Sequence, residues 1–258
     1  TKRMLGKGRF KTAQVGYLSL SHNRPDGLGT KENERVAVKR PFVMLSTSEV
    51  PSSSTPQMVT RFTANDEHTK LLVEANILLW SASLWAFTLS YITHKTSQLG
   101  KPPFPVPDMR FVHAGLAIFR TSTSYNSAIA STFLIEELLD TSSSGFTKFI
   151  NNGSAQPVDD AMLAHPDICM FLTFTQHLQY WKSGGAIFLS DLQGTTSVLT
   201  DPQIMTNPSF AARGVELFGD GNVPQAFENF PLEHHCNRFC IWFEVPSFKE
   251  KGTSTPVG

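Results

Sequence analysis

The sequence predicts an α+β fold of two lobes, a β-rich N-lobe followed by a mixed C-lobe. Three observations carry that expectation. Strand-like segments joined by a turn-rich loop fill residues 10–42, an uncharged apolar stretch of helical length follows, and near residue 140 the composition shifts to a Ser/Gly/Asn-rich run ahead of a second helix. With 258 residues, 40% of them hydrophobic and 20 of them Phe, the chain has enough apolar material for one large domain or two modest lobes.

Taken in order, FKTAQVGYLSL (10–20) and RVAVKRPF (35–42) read as strands, and the turn-rich HNRPDGLGTKENE between them makes the pair a hairpin. The Ser/Thr/Pro run STSEVPSSSTPQ (46–57) cannot pack and reads as a flexible surface insertion, open to phosphorylation. A long helix is expected over about 66–94. Its segment 75–93 holds no charge and has the length of a bilayer span. Asn76, Ser81, Ser83, Thr88 and Ser90 interrupt it, and Glu74 with the acidic TANDEH precedes it, so a core helix is expected rather than a membrane span. The Pro-rich GKPPFPVPD leads into strands at 109–121 and 132–139. The second lobe then opens with a helix over 158–181, passes through the strand GAIFLSDL (185–192) and closes with FENFPLEHHCNRFCIWF (227–243).

Composition narrows the function. Lys and Arg number 22 against 22 Asp and Glu, for a net charge of zero, which argues against a nucleic-acid partner. Three cysteines, Cys169, Cys236 and Cys240, are too few for a secreted disulfide framework, and the N-terminus lacks an apolar signal core. An intracellular, cytoplasmic and reducing setting is expected. The chain starts at Thr1 and ends in the loose GTSTPVG, as a domain cut from a longer protein would.

Three constellations carry chemistry. In His234-x-Cys236-x3-Cys240 a helical reading puts both cysteines on one face, where they can share a tetrahedral zinc with a histidine, and His177 is the candidate fourth ligand. Two buried free cysteines beside surface histidines are the plainer alternative. In DLQGTTSVLTDPQ, Asp191, Gln193 and Asp201 offer the hard oxygen ligands that Mg²⁺ selects; an ordinary acidic surface turn would look the same. Finally, the turn Gly6-Lys7-Gly8 and the strand lysine Lys39 in VAVK are suited to phosphates, although a strand lysine is more often a solvated edge residue.

Order and spacing together resemble the α-kinases, the atypical Ser/Thr protein kinases. The matching segments are GKGRFKTA, VAVK, LIEELL, FTKFINNG, FTQH, SDLQG, LTDPQI, FGDGN and HHCNRFC, across about residues 6–243. The H-R-D and D-F-G signatures of ordinary protein kinases are absent. The resemblance implies a two-lobed atypical protein-kinase-like fold with a structural zinc site. It makes residues 1–258 one catalytic domain, with an N-lobe over about 1–137, a hinge and C-lobe over about 138–244, and a loose tail over 245–258. It implies ATP, Mg²⁺ and Zn²⁺ as cofactors and a protein bearing a Ser or Thr acceptor as partner; the charge balance and the interrupted apolar stretch add the expectation of no nucleic acid and no membrane.

Residue by residue, the resemblance makes Lys39 the ATP-phosphate lysine, and Lys11 stands where the family usually has an arginine. Glu74 is the helix partner of Lys39, and Glu136 and Leu138 lie in the segment similar to the adenine-binding hinge. Asp191 matches the catalytic aspartate, Gln193 and Asp201 the Mg²⁺ ligands, and His177, His234, Cys236 and Cys240 the zinc site, with His235 as a rival for His234. Gly219, Gly221 and Asn222 match a glycine-rich loop that receives the peptide, with Pro224 at its last glycine position. These departures keep two other readings open, a nucleotide-binding pseudokinase and a zinc-stabilised interaction domain.

Overall fold

The structure is a computed structural model that describes residues 4–8, 10–45, 58–122, 127–142, 145–211 and 218–248. The Ser/Thr/Pro insertion at 46–57 and the last ten residues of the expected tail therefore lie outside the described residues. The chain divides into two compact units, residues 1–76 with 112–138, and residues 77–111 with 139–258.

The first unit is built on a five-stranded sheet of order β1-β2-β3-β8-β7, from β1 (Met4–Lys7), β2 (Lys11–Leu18), β3 (Glu34–Pro41), β7 (Ala114–Ser122) and β8 (Ser127–Glu137). Every neighbouring pair is antiparallel. The expected hairpin is β2 with β3, in the register Ala13 opposite Lys39. Short strands β4 (Val43–Leu45) and β5 (Met58–Thr60) pair separately.

Helix α1 (Ala64–Leu99) starts where the Thr63 hydroxyl accepts the Asp66 amide at 3.2 Å, and it stops at Gly100, whose φ of +88° suits a helix-ending glycine. Its first three turns belong to the first unit. There Glu67, Leu71 and Glu74 share one face at i, i+4 and i+7. Glu67, 1% exposed, is held by Arg40 through a fork of 2.7 and 2.6 Å bonds, which satisfies an otherwise costly buried carboxylate.

From Ile77 onward α1 belongs to the second unit. Ile77, Leu78, Ser81, Trp85, Thr88 and Ile92 are buried, at the spacing of one helix face. The Trp85 indole N–H donates to the Met109 carbonyl at 2.6 Å, and Thr88 Oγ1 accepts from Gln179 at 3.0 Å. The opposite face exposes Leu79, Trp80 and Phe87. By length and composition alone the helix could cross a membrane, with a third of its most apolar window buried.

The helix expected over 158–181 is instead two, α2 (Asp159–Ala164) and α3 (Pro166–Lys182). Pro166 has no amide proton and disfavours helical geometry at His165, which sits at φ −138°, ψ 58°. Two small sheets complete this unit. One pairs β10 (Ile187–Ser190) with β13 (Gln203–Thr206); the other runs in the order β6-β12-β11-β9, from β6 (Arg110–Phe111), β12 (Val198–Thr200), β11 (Gln193–Gly194) and β9 (Thr147–Lys148). Helices α4 (Pro224–Glu233) and α5 (Arg238–Trp242) follow. Phenylalanines make much of the core: Phe149, Phe171, Phe174, Phe230, Phe239 and Phe243 are all fully buried, and Phe174 stacks on both Phe239 and Phe243.

Candidate functional site

Strand alternation gathers the phosphate candidates on one face of the first unit's sheet. Lys39 stands opposite Ala13 and Leu134, so Lys11, two residues from Ala13, and Glu136, two residues from Leu134, share its side. Lys39 Nζ lies 2.8 Å from Glu136 Oε2, and Lys11 Nζ lies 2.7 Å from Glu74 Oε2. This corrects the expected pairing: Glu74 is the helix partner of Lys11, and the partner of Lys39 comes from the neighbouring strand. The cause is register, which brings Glu136 diagonally beside Lys39 while α1 delivers Glu74 one sheet position further along. Lys39 is also not the solvated edge residue that strand lysines usually are, being 7% exposed on an inner strand. Leu138 lies just beyond the end of β8, half-buried. Gly8 closes the turn after β1, its amide donating to the Lys11 carbonyl at 2.8 Å.

In the second unit the sequence DLQG forms a short, unusual path. Asp191 leaves β10 in the left-handed region at φ 55°, and Asp201 sits between β12 and β13 at φ 47°. Few residues other than glycine adopt that region, with Asp and Asn the main exceptions, and such backbone is concentrated where function holds it in place. Gln193 lies on β11 between Thr200 and Lys148, and its amide donates to the Asp201 carbonyl at 3.3 Å and approaches Asp191 Oδ2 at 3.5 Å. Lys148 Nζ donates to Asp191 Oδ1. Gly194 explains the last letter of the motif. At φ +146°, a Cβ there would lie 2.1 Å from the Val198 carbonyl oxygen, so only glycine lets the two strands close.

The glycine loop is a single 3-10 turn, Gly219–Gly221, with Gly219 at φ +67°. Asn222 fastens it to β13: its Oδ1 accepts from the Thr206 amide at 3.0 Å and its Nδ2 donates to Thr206 Oγ1 at 2.6 Å. Asn152 Nδ2 donates to the Gly221 carbonyl at 3.0 Å. Gly221 lies close to Gln203: a Cβ there would come within 1.9 Å of Gln203 Oε1, so a larger residue would require the Gln203 side chain to move. Pro224 begins α4, where a missing amide proton costs nothing. The proline at the last glycine position is thus a helix start.

The third cluster unites His177, His234, Cys236 and Cys240, whose ligand atoms all lie within 4.8 Å of one another. His177 comes from the buried side of α3, His234 from the end of α4 and Cys240 from α5. The two cysteines do not share a helix face as the spacing suggested. Cys236 precedes Asn237, which caps α5 by accepting the Phe239 amide at 2.9 Å, so the chain is still extended at Cys236. His177 Nδ1 is 3.8 Å from Cys236 Sγ, and His234 Nε2 is 3.6 Å from Cys240 Sγ. His235 is outside the cluster, exposed and 3.0 Å from the Gln156 amide.

The donor set fits a cation. Burial holds His177 down at about 4 and His234, also facing His177 and His235, at about 3, so both rings are neutral at pH 7, the form that ligates. Burial pushes the Cys240 thiol up to about 12, a buried acid whose thiolate a cation would stabilise. Cys169, likewise raised to about 11 by burial, stands apart in the core.

Sequence reasoning missed Lys148, Asn152, Gln203 and Thr206 as individuals. All four stand in or next to quoted motifs, FTKFINNG and LTDPQI. Their roles depend on strand register, which brings Lys148 beside Gln193 and Gln203 beside Ser190.

With this geometry described, comparisons with known proteins become specific. The profile of the alpha-kinase family matches residues 55–240. The human transient receptor potential cation channel subfamily M member 6 is 31% identical over 110 residues, 42% of this chain and 5% of that protein. Myosin heavy chain kinase B of Dictyostelium discoideum is 32% identical over 83 residues, 32% of this chain and 10% of that protein. The chain thus matches only a small part of the length of these relatives. Among solved structures, the alpha-kinase domain of myosin heavy chain kinase A in complex with ADP superimposes with a TM-score of 0.57 at 15% identity, over 95% of this chain and 87% of that one. Its complex with AMP gives 0.58 at 16% identity, over 95% and 89%. The fold is therefore the two-lobed one of those domains, and a family match across most of the sequence leads to one conclusion: the chain belongs to the alpha-kinase family.

Proposed function

We propose that the chain is an active protein kinase that transfers the ATP γ-phosphoryl group to a Ser or Thr hydroxyl of a protein. The observation that carries the proposal is the meeting of Asp191, Gln193, Asp201 and Lys148, with both aspartates in left-handed backbone. Solved relatives bind ADP and AMP, which supports a nucleotide site in this chain.

Phosphoryl transfer needs positioning and charge neutralisation more than covalent help. Lys39 and Lys11 bind phosphate oxygens. The Glu136 to Leu138 segment receives adenine. Asp191, steered by Lys148, orients the acceptor hydroxyl and takes its proton. Gln193 and Asp201 hold magnesium, which offsets the charge of the phosphates. The loop Gly219, Gly221, Asn222 receives the peptide. The His177, His234, Cys236, Cys240 cluster holds a structural zinc, because four protein ligands leave no open position. We place the protein in the cytoplasm, where free thiols such as these persist.

The test is transfer of labelled phosphate from ATP to the chain itself and to Thr-bearing peptides, beside nucleotide-dependent thermal stabilisation. Stabilisation without transfer would leave a pseudokinase; neither would leave an interaction domain.

A further inference from the structure

The stretch from Lys148 to Asn152 touches both the carboxylate and the glycine loop assigned to the reaction proposed above. At one end Lys148 holds the Asp191 carboxylate. In the middle, the Asn151 carbonyl accepts from Ser190 Oγ at 2.9 Å, and Ser190 is the residue before Asp191. At the other end Asn152 Nδ2 donates to the Gly221 carbonyl at 3.0 Å. Three residues of one five-residue segment thus connect the Asp191 carboxylate to the glycine loop. Gly221 is further confined on its Cα side by Gln203, which stands opposite Ser190 in the β10–β13 register.

The geometry points to Asn152 as a positioning residue that sets the spacing between the Asp191 carboxylate and the peptide-receiving loop. This inference rests on the kinase reading. Asn152 does not touch the reacting atoms. It acts through Gly221, adding to the Asn222–Thr206 tie to β13 a second hold that links the loop to the Asp191 side of the site, and a misplacement of about 1 Å is enough to cost up to a hundredfold in rate. The bond constrains an acceptor that the loop must hold. Water, which needs no loop, is an acceptor it does not constrain.

The experiment compares the 258-residue chain with Asn152→Ala and Asn152→Asp, using a threonine peptide that the wild-type chain phosphorylates. Asn152→Asp keeps the side-chain shape but replaces the donor with a carboxylate facing a carbonyl, so a space-filling role would survive it. Both variants are expected to raise the peptide KM and lower kcat/KM by about tenfold or more. ATP KM, melting temperature and phosphate release from ATP without peptide should stay near wild type. The inference is overturned if Asn152→Asp matches wild type on peptide, or if peptide transfer and ATP hydrolysis fall in proportion. A wild-type chain that neither transfers nor hydrolyses would defeat the kinase reading itself, and the two failures are told apart on the unmutated protein.

Discussion

Lys39 Nζ lies 2.8 Å from Glu136 Oε2, with the two side chains only 8% and 2% exposed. A buried pair is weak evidence for stability while intact, yet removing one partner takes away a charge that the other is buried against. Lys39→Met is therefore expected to abolish transfer and also to lower unfolding free energy by about 3 kcal/mol. Adding Glu136→Gln should recover most of that stability and none of the activity. Urea unfolding of both variants is the measurement, and a single variant as stable as wild type would refute the buried-pair account.

The two aspartates should separate by their response to metal. If Asp201 holds the proposed magnesium, Asp201→Asn weakens that site and its defect should shrink as Mg²⁺ is raised or Mn²⁺ is supplied. Asp191→Asn loses proton affinity and its hold on Lys148, and no metal concentration should restore it. Titration of phosphate transfer on both variants decides; rescue of Asp191→Asn alone would reverse the roles.

Two glycines make a matched control for the DLQG turn. Gly194→Ala drives a Cβ to 2.1 Å from the Val198 oxygen at a φ of +146°, whereas a Cβ on Gly153 meets nothing within 4 Å. The first change is expected to cost about 2 kcal/mol or more, or to leave the protein insoluble, and the second less than about 0.5 kcal/mol. Equal melting temperatures would show that the β11–β12 closure is soft.

Zinc content should follow the buried histidine. Purified protein should carry about one zinc, and its removal by a chelator should lower the melting temperature, because binding at such a site is coupled to folding. His234→Ala should lose both metal and solubility; His235→Ala, outside the cluster, should keep the metal. Elemental analysis settles it, and zinc retained in His234→Ala would exclude that ligand.

What the sequence made legible was what local pattern encodes. Alternation exposed the β2–β3 hairpin, uncharged length exposed α1, and the DLQG, LTDPQ and HxCxxxC spacings located residues that the fold gathers. What stayed hidden depended on long-range register or on one local interruption. Nothing near Lys39 in sequence announces Glu136, ninety-seven positions away, because the link is a diagonal across β3 and β8. Helical spacing suited Cys236 and Cys240, but the Asn237 cap starts α5 after the first of them. The α2–α3 break was written in Pro166 and was obscured by apolar periodicity on both sides of it.

The left-handed backbone of Asp191 and Asp201 bears on how such a protein could age over generations. Asparagine tolerates that region at least as well as aspartate, and the two residues differ by one nucleotide in their codons. A lineage could therefore trade either carboxylate for an amide without added backbone strain, silencing the proposed chemistry while the strands and the His/Cys cluster stayed in place. Alanine at the same positions would meet the strain directly. Catalytic death in this architecture is cheap by one route and dear by the other, so a retired copy kept for its surface would be expected to carry asparagine.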